Sequence, residues 1–510
     1  MLYDKNPPYP HYDHLPYAKE PWKSLYVLQR LTTTLAMVPW WATYYTVMPK
    51  SIRPRSSWNL RQIIYVNFTR RVFKVTEVAG VTWGTRDPTT APNEAFLKET
   101  SFEWVEPLKE DLRTGILNEE ESAPYVNVGC YIWPKKNNTK SRFSAMKDSL
   151  VKTDSNPGPE TPPVPVQDDR TYTVGIYMHG GGYCHMSAHE SSRTSRIPRG
   201  LVQRGILDEV YAVEYRLLQV APFPAVVQDA AAVYSHVVNK YTQEQKKFKI
   251  VLVGDSSGGN LALSLARWLR DEGKLPSPDG LILLSPSCDT SHNLPETLSS
   301  YIPRPNEYSD YLVDNPEPRA LLQRTFLGFR GDKNGPTNED EDRRLMQVAH
   351  SEYVSPCSPV VLERWGHSVQ QDPEGEYRRK FWRYTLPNLP DALQTFRHPE
   401  VLNPMLRSWD DLTAENPYRK TCQFPGLFAA FPRTIVVCGD GERLVREVRA
   451  LISAMTKDGV DITTHWAPDA CHDALMISET WWDKAVLDNI WQDIDKWASA
   501  FKSSDTPTVN

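Results

Sequence analysis

Apolar residues follow two periods along this chain. Between Tyr172 and Ser285, short runs of Val, Ile and Leu alternate with stretches where apolar residues recur every three or four positions. Val174–Met178, Val210–Leu218, Phe248–Val253 and Asp279–Ser285 read as strands. Residues 190–204, 226–240 (Val226, Ala230, Val233, Val237) and 258–272 (Leu261, Leu265, Trp268) read as helices. Runs this apolar leave no strand face for water. The alternation therefore predicts an α/β fold, a mostly parallel central sheet with helices on both faces. It stops after 288 and resumes at Thr434–Cys438, with a helix over 443–457, a strand at Asp461–Trp466 and a terminal helix near 480–501. The interval 289–430, dense in Pro, Trp, Tyr and charge, is expected to be an inserted cap region over the carboxyl ends of the strands. The core that carries the sheet is then 101–288 with 431–502.

Ahead of the alternation, Phe102-Glu-Trp-Val-Glu-Pro and Val126–Trp133 read as an opening antiparallel hairpin. Leu60–Val72 has helical spacing, and residues 1–100 form an N-terminal helical and aromatic cap segment. Residues 135–170 lose hydrophobicity and read as a flexible surface insertion. Leu31–Met48 carries no charge, but its five threonines and Pro39 make it too polar for a spanning helix. It is expected to pack as a buried or lid-like helix, with peripheral membrane or lipid contact through 31–48 as the alternative.

Composition narrows the functions. A net charge of −5 leaves no basic footprint for nucleic acid. Seven cysteines without a C-x-x-C pair exclude a zinc knuckle and point to free thiols in a reducing compartment. The first residues lack a basic segment followed by an apolar one, so no secretory signal and a cytoplasmic location are expected.

The chemistry centres on Ile250–Asn260. Four apolar residues run into Gly254-Asp255-Ser256-Ser257-Gly258, and a helical pattern follows at once. Strand, G-x-S-x-G, helix is the context of a nucleophile elbow, which holds a serine outward on a bend too tight for side chains around it. A serine hydroxyl needs a base, the base an orienting acid, and the developing oxyanion fixed donors. His179-Gly180-Gly181-Gly182 follows an earlier strand and can turn backbone N–H groups toward a carbonyl oxygen. The expected donors are the N–H groups of Gly180, Gly181 and Ser257. A phosphate loop would end in Lys-Ser or Lys-Thr, which is absent here. His472, on the loop past the last strand, stands where this fold puts its base. Asp440 and Glu442, at the end of the strand before it, both keep the chain order serine, acid, histidine, and either can reach an imidazole there. Gly-Asp-Ser-Ser-Gly-Gly also reads like a trypsin-type serine segment, but that fold is all-β and places its histidine before the serine.

His179-Gly-Gly-Gly with Gly254-Asp-Ser-Ser-Gly-Gly resembles the hormone-sensitive lipase family of α/β-hydrolases. Tyr215-Arg216-Leu217, Pro222-Phe-Pro-Ala225 and Asp229-Ala230 resemble the segments between those motifs. The resemblance covers Tyr172–Pro286 and, less closely, 431–475. The family's acid sits in an Asp-Pro-Leu-x-Asp-Glu segment; aligning Leu444 and Glu447 with its Leu and final Glu puts Glu442 at the acid's position, a departure from Asp. Tyr353-Val-Ser-Pro resembles the segment before the family's next strand, which makes about 360–425 an addition.

The resemblance and the constellation imply a serine esterase or lipase-like carboxylester hydrolase acting through an acyl-enzyme on an apolar small-molecule ester. No metal or organic cofactor is implied. An acyltransferase or deacetylase using the same triad is the alternative. A non-catalytic small-molecule receptor on this fold is disfavoured by the presence of His472.

Overall fold

A computed structural model of the chain describes residues 15, 17–118, 123–135, 170–293, 304–313, 322, 326–328, 347–369 and 424–503. Eight strands form one sheet: β1 (Ser101–Val105), β2 (Val128–Trp133), β3 (Thr171–Met178), β4 (Glu209–Glu214), β5 (Lys247–Asp255), β6 (Gly280–Leu284), β7 (Arg433–Gly439) and β8 (Ile462–Ala467). Their spatial order is β1-β2-β4-β3-β5-β6-β7-β8. β1 and β2 open the sheet as an antiparallel pair, and β2 lies antiparallel to β4. From β4 across to β8 every pairing is parallel. The register of β3 on β5 runs from Thr171↔Lys247 to Met178↔Gly254.

The described α-helices are α1 (Trp22–Val47), α2 (Leu60–Ala79), α3 (Arg196–Gln203), α4 (Ala225–Gln243), α5 (Ser257–Glu272), α6 (Pro359–Arg364), α7 (Val445–Lys457) and α8 (Lys484–Ser503). The sheet divides two cores. α4, α5 and α7 pack on one face through Val233, Val237, Leu265, Trp268 and Leu451. α3 and α8 pack on the other through Leu201, Ile490, Ile494 and Trp497, joined by Trp41 and Ile63 of the N-terminal helices. Alternate strand residues serve opposite cores: Ile250 and Leu252 of β5 face the first, Val251 and Val253 the second. This two-sided burial is why the sequence shows an unbroken apolar run there.

α2 begins at a capping box, where Asn59 accepts from the Gln62 amide and the Gln62 side chain accepts from the Asn59 amide; it ends at Gly80 with φ 64°. α1 lies against α2. It turns Arg30, Thr34, Trp41 and Tyr45 inward, and the Arg30 guanidinium donates to the Arg71 carbonyl at 3.0 Å. Its other side exposes Trp22, Leu25, Leu28, Leu35, Trp40 and Val47. Among the described residues no helix is long and apolar enough to cross a membrane.

Two boundaries differ from the sequence reading. β4 stops at Glu214 rather than Leu218, because Tyr215, Leu217 and Leu218 are buried in a loop, not in the sheet. α3 starts at Arg196 rather than 190, because hydroxyls take over the backbone groups ahead of it: Ser195 Oγ donates to the Glu190 carbonyl at 2.8 Å. The insertion expected over 135–170 and much of the cap expected over 289–430 lie outside the described residues.

Candidate active site

The turn between β5 and α5 admits no side chains at two places. A Cβ on Gly254 would lie 2.2 Å from the Gly258 oxygen, and one on Gly258 would lie 2.0 Å from the Met178 oxygen. Between them Ser256 adopts φ 53°, ψ −120°, a conformation that L residues rarely hold without being forced. Two hydrogen bonds enforce it. The Ser256 amide donates to the Leu284 carbonyl, and its carbonyl accepts from the Ser287 amide, each at 2.9 Å. Behind the bend, Asp255 accepts the Tyr177 hydroxyl at 2.5 Å.

Three loops meet here. Ser256 Oγ lies 2.9 Å from His472 Nε2, and His472 Nδ1 lies 2.8 Å from Glu442 Oε2. Since the Glu442 carboxylate can only accept when ionised, Nδ1 carries the hydrogen of that bond. The other carboxylate oxygen, Oε1, accepts from the Gly439 amide at 2.5 Å and from Ser285 Oγ at 3.1 Å. Glu442 and His472 are both buried. Asp440 goes elsewhere. Its Oδ1 accepts the Asp469 amide at 2.7 Å, Arg55 lies 3.7 Å away, and its side chain is 43% exposed. Of the two acids expected at this strand end, Glu442 reaches the imidazole and Asp440 does not.

The glycine loop also differs in detail. Gly181, Gly182 and Ser257 line the pocket beside Ser256. Gly180 does not. It backs onto the nucleophile turn, where a Cβ would lie 2.4 Å from Asp255 Oδ2. The pocket-facing glycines are therefore one residue further along than the expected Gly180–Gly181 pair, because the loop's first residue is used to pack against Asp255. His179 anchors this loop from beneath. Its ring stacks on Tyr215 at 4.3 Å, its carbonyl accepts the Tyr215 hydroxyl at 2.5 Å, and its Nδ1 donates to the Gly180 carbonyl at 2.8 Å. Burial pushes its pKa down to about 4, so the ring is neutral at physiological pH. The Tyr-Arg segment is held by a buried pair in which Arg216 reaches Asp229 at 2.8 Å.

Three groups escaped the sequence reading. Asp310 comes from a segment without strand or helix pattern; its carboxylate accepts the His472 amide at 3.4 Å and the Arg443 amide at 2.6 Å. Ser285, just past β6, bridges Glu442 and the Asp473 amide. Asp473 itself follows the base directly, and its Oδ2 sits 3.0 Å from His472 Nε2. Each is polar and buried, but single buried polar residues carry no periodic signal.

The electrostatics follow from this crowding. Burial alone would push the His472 pKa down, but Asp473 and Glu442 together hold it well above the usual histidine range. Burial pushes the Asp473 carboxyl up to about 6, with the imidazole pulling the other way. Burial also raises Asp310, and His472 draws it back. The pocket above has a volume of about 1000 Å³, mouth included. Phe73 of α2 and Met186, Tyr311, Leu312 and Met476 give it apolar walls, and Arg304 and Arg443 also line it. Among the described residues no group of three or more His, Cys, Asp or Glu is placed to hold a metal ion.

A mostly parallel sheet with a serine on a β5–α5 elbow, and an imidazole and carboxylate on the loops after β8 and β7, defines the α/β-hydrolase class. The family model described as an alpha/beta hydrolase fold matches residues 175–338. An acetyl-hydrolase of Streptomyces hygroscopicus is 33% identical over 263 residues, covering 48% of this chain and 77% of the relative. The versiconal hemiacetal acetate esterase of Aspergillus parasiticus is 27% identical over 153 residues, 30% of this chain and 45% of that protein. Mouse hormone-sensitive lipase is 27% identical over 148 residues, 28% of this chain and 18% of its own length. The chain belongs to the hormone-sensitive-lipase-like family of α/β-hydrolases, and it is a carboxylic ester hydrolase.

Proposed function

We propose that this hydrolase works through Ser256 as nucleophile, His472 as base and Glu442 as the acid that orients it. The observation that carries this reading is the unbroken relay from Glu442 Oε2 to Nδ1 and from Nε2 to Ser256 Oγ, at 2.8 and 2.9 Å. In the reactive state Nε2 accepts the Ser256 proton as Oγ attacks the ester carbonyl. The carbonyl oxygen becomes an oxyanion and rests on the N–H groups of Gly181, Gly182 and Ser257; losing one such donor costs about 3 kcal/mol in the barrier. His472 returns the proton to the leaving alcohol, and water then releases the acid from Ser256 by the same steps reversed.

The substrate is read as an acetyl or similarly short ester of a bulky apolar alcohol. Two relatives named for acetyl and acetate esters support the short acyl group. Phe73, Tyr311, Leu312 and Met476 support an apolar partner. The test uses 4-nitrophenyl esters of increasing acyl length with the wild type and Ser256→Ala. Acetate is expected to be turned over best, and Ser256→Ala is expected to lose about 10⁶-fold in kcat. A serine-reactive phosphonate should add its mass to the Ser256 peptide. Turnover retained in Ser256→Ala, or label on another residue, overturns the reading.

A further inference from the structure

Two oxygens crowd one nitrogen. His472 Nε2 lies 2.9 Å from Ser256 Oγ and 3.0 Å from Asp473 Oδ2. Asp473 is buried, and neither of its carboxylate oxygens receives a hydrogen bond, so Oδ2 faces Nε2 as a close charge and not as a bonded partner. Its backbone is left-handed, with φ 48°, which doubles the side chain back beside the ring of the preceding residue. The bend is pinned, since the Asp473 amide donates to Ser285 Oγ at 3.3 Å and its carbonyl accepts the Met476 amide at 2.9 Å. Asp473 also lines the pocket.

We infer that Asp473 is a positioning residue for the base: its carboxylate holds a proton on His472 Nε2 and so sets the pH at which Ser256 is activated. This rests on the reading of Ser256 and His472 given above. An ionised carboxylate cannot face the lone pair of a neutral Nε2 without repulsion, and burial removes the water that would screen it. While Asp473 is ionised, its charge beside Nε2 therefore keeps a hydrogen on that nitrogen, and Nδ1 carries its own toward Glu442. In that resting state the ring has no lone pair to take the Ser256 proton. Rising pH sends the Nε2 proton to solvent, and Nε2 then accepts from Oγ–H. On attack the Ser256 proton moves to Nε2, where Oδ2 again stabilises the imidazolium until the proton passes to the leaving alcohol. The pair titrates as a unit, and its apparent pKa belongs to both groups.

The surrounding charges act on the same ring. Glu442 meets it at Nδ1 from the loop after β7, and Asp310 accepts the His472 amide with Arg443 at its other oxygen. Tyr311 packs on the imidazole at 5.9 Å. Asp255 at the end of β5 repels Asp473, as do Glu442 and Asp310, and Tyr177 and Cys471 lie in the same buried field. All of these remain when only residue 473 is changed.

Asp473→Asn and Asp473→Gly both suit a left-handed backbone, so they remove the charge with little strain. The acid limb of the kcat/KM profile on 4-nitrophenyl acetate is expected to move to lower pH by about one unit or more in both variants. Turnover on the alkaline plateau should fall several-fold, because the imidazolium loses one of its two carboxylates. A limb within about 0.2 unit of the wild type, or one moved upward, overturns the assignment. Wild-type protein carrying ¹⁵N-histidine gives a second measurement that needs no Asp473 variant, with the His472 signals assigned through His472→Gln. At pH 7 both ring nitrogens should appear protonated, and a neutral ring overturns the inference. If Ser256→Ala is inactive while the Asp473 variants keep the wild-type profile, only the role of Asp473 fails. If Ser256→Ala stays active, the underlying reading fails.

Discussion

At the carboxyl ends of β5, β7 and β8, polar atoms are placed against one another within hydrogen-bond reach. Glu442 alone meets Nδ1 of His472, the Gly439 amide and Ser285. On the outer side of α1, by contrast, Leu25, Leu28, Leu35 and Val47 face outward with no such constraint. The rim must hold charge in a buried place, so each side chain is fixed by several partners and few alternatives fit. The outer side of α1 needs only to stay folded and tolerates many side chains. Chemistry and shelter are thus separated in the chain, and substitutions should divide along the same line.

The largest expected effect tests the rim. Glu442→Gln should lower kcat about 10⁴-fold, since the amide no longer favours the required ring tautomer. Asp440→Asn, two residues away but bound to Asp469 and Arg55, should stay within about threefold, as expected for a group outside the relay. Equal losses in the two variants would erase the distinction between these carboxylates. Next, Gly181→Ala should cost about 100-fold in kcat. Its φ is +117°, and the new Cβ would fall 2.6 Å from the His185 oxygen, so the amides must shift. A normal kcat would exclude this loop from oxyanion binding.

α1 gives the smaller effects, and they differ between its two sides. Trp41→Ala on the inward side of α1 should cost about 3–5 kcal/mol in thermal or urea unfolding, because a fully buried indole leaves a cavity. Leu35→Gln on the outward side should change stability by less than about 0.5 kcal/mol. A large loss at Leu35 would mean that the outer side is not free surface, and the contrast with the rim would collapse.

The same division explains what could be read from the sequence. The sheet was legible because its strands are buried on both faces and show as unbroken Val, Ile and Leu runs. The Ser256 elbow was legible because steric crowding allows only glycine at 254 and 258. The choice between Asp440 and Glu442 could be made only through the family resemblance, which pointed to Glu442, since two acids two residues apart share the same strand end. It depends on Asp440 taking the Asp469 amide, a contact made across a loop. Gly180 and Gly181 could not be told from Gly181 and Gly182 for a similar reason: three identical residues carry no information about which one packs on Asp255. Tyr215–Leu218 read as strand because a buried loop and a buried strand have the same hydrophobicity. Asp310 and Asp473 were invisible as partners of His472, since one arrives from a patternless segment and the other through a single backbone angle.

The pairing of Met178 with Gly254 has a consequence for how such a chain can grow. The glycine loop and the serine bend leave adjacent strands on the same rung, so the gap between them is set by ladder spacing, about 4.8 Å, and not by the length of anything in between. Segments added after β2, β6 or α1 lengthen the polypeptide without stretching that gauge. A lineage can therefore rebuild the walls around the ester while the reacting atoms stay in step.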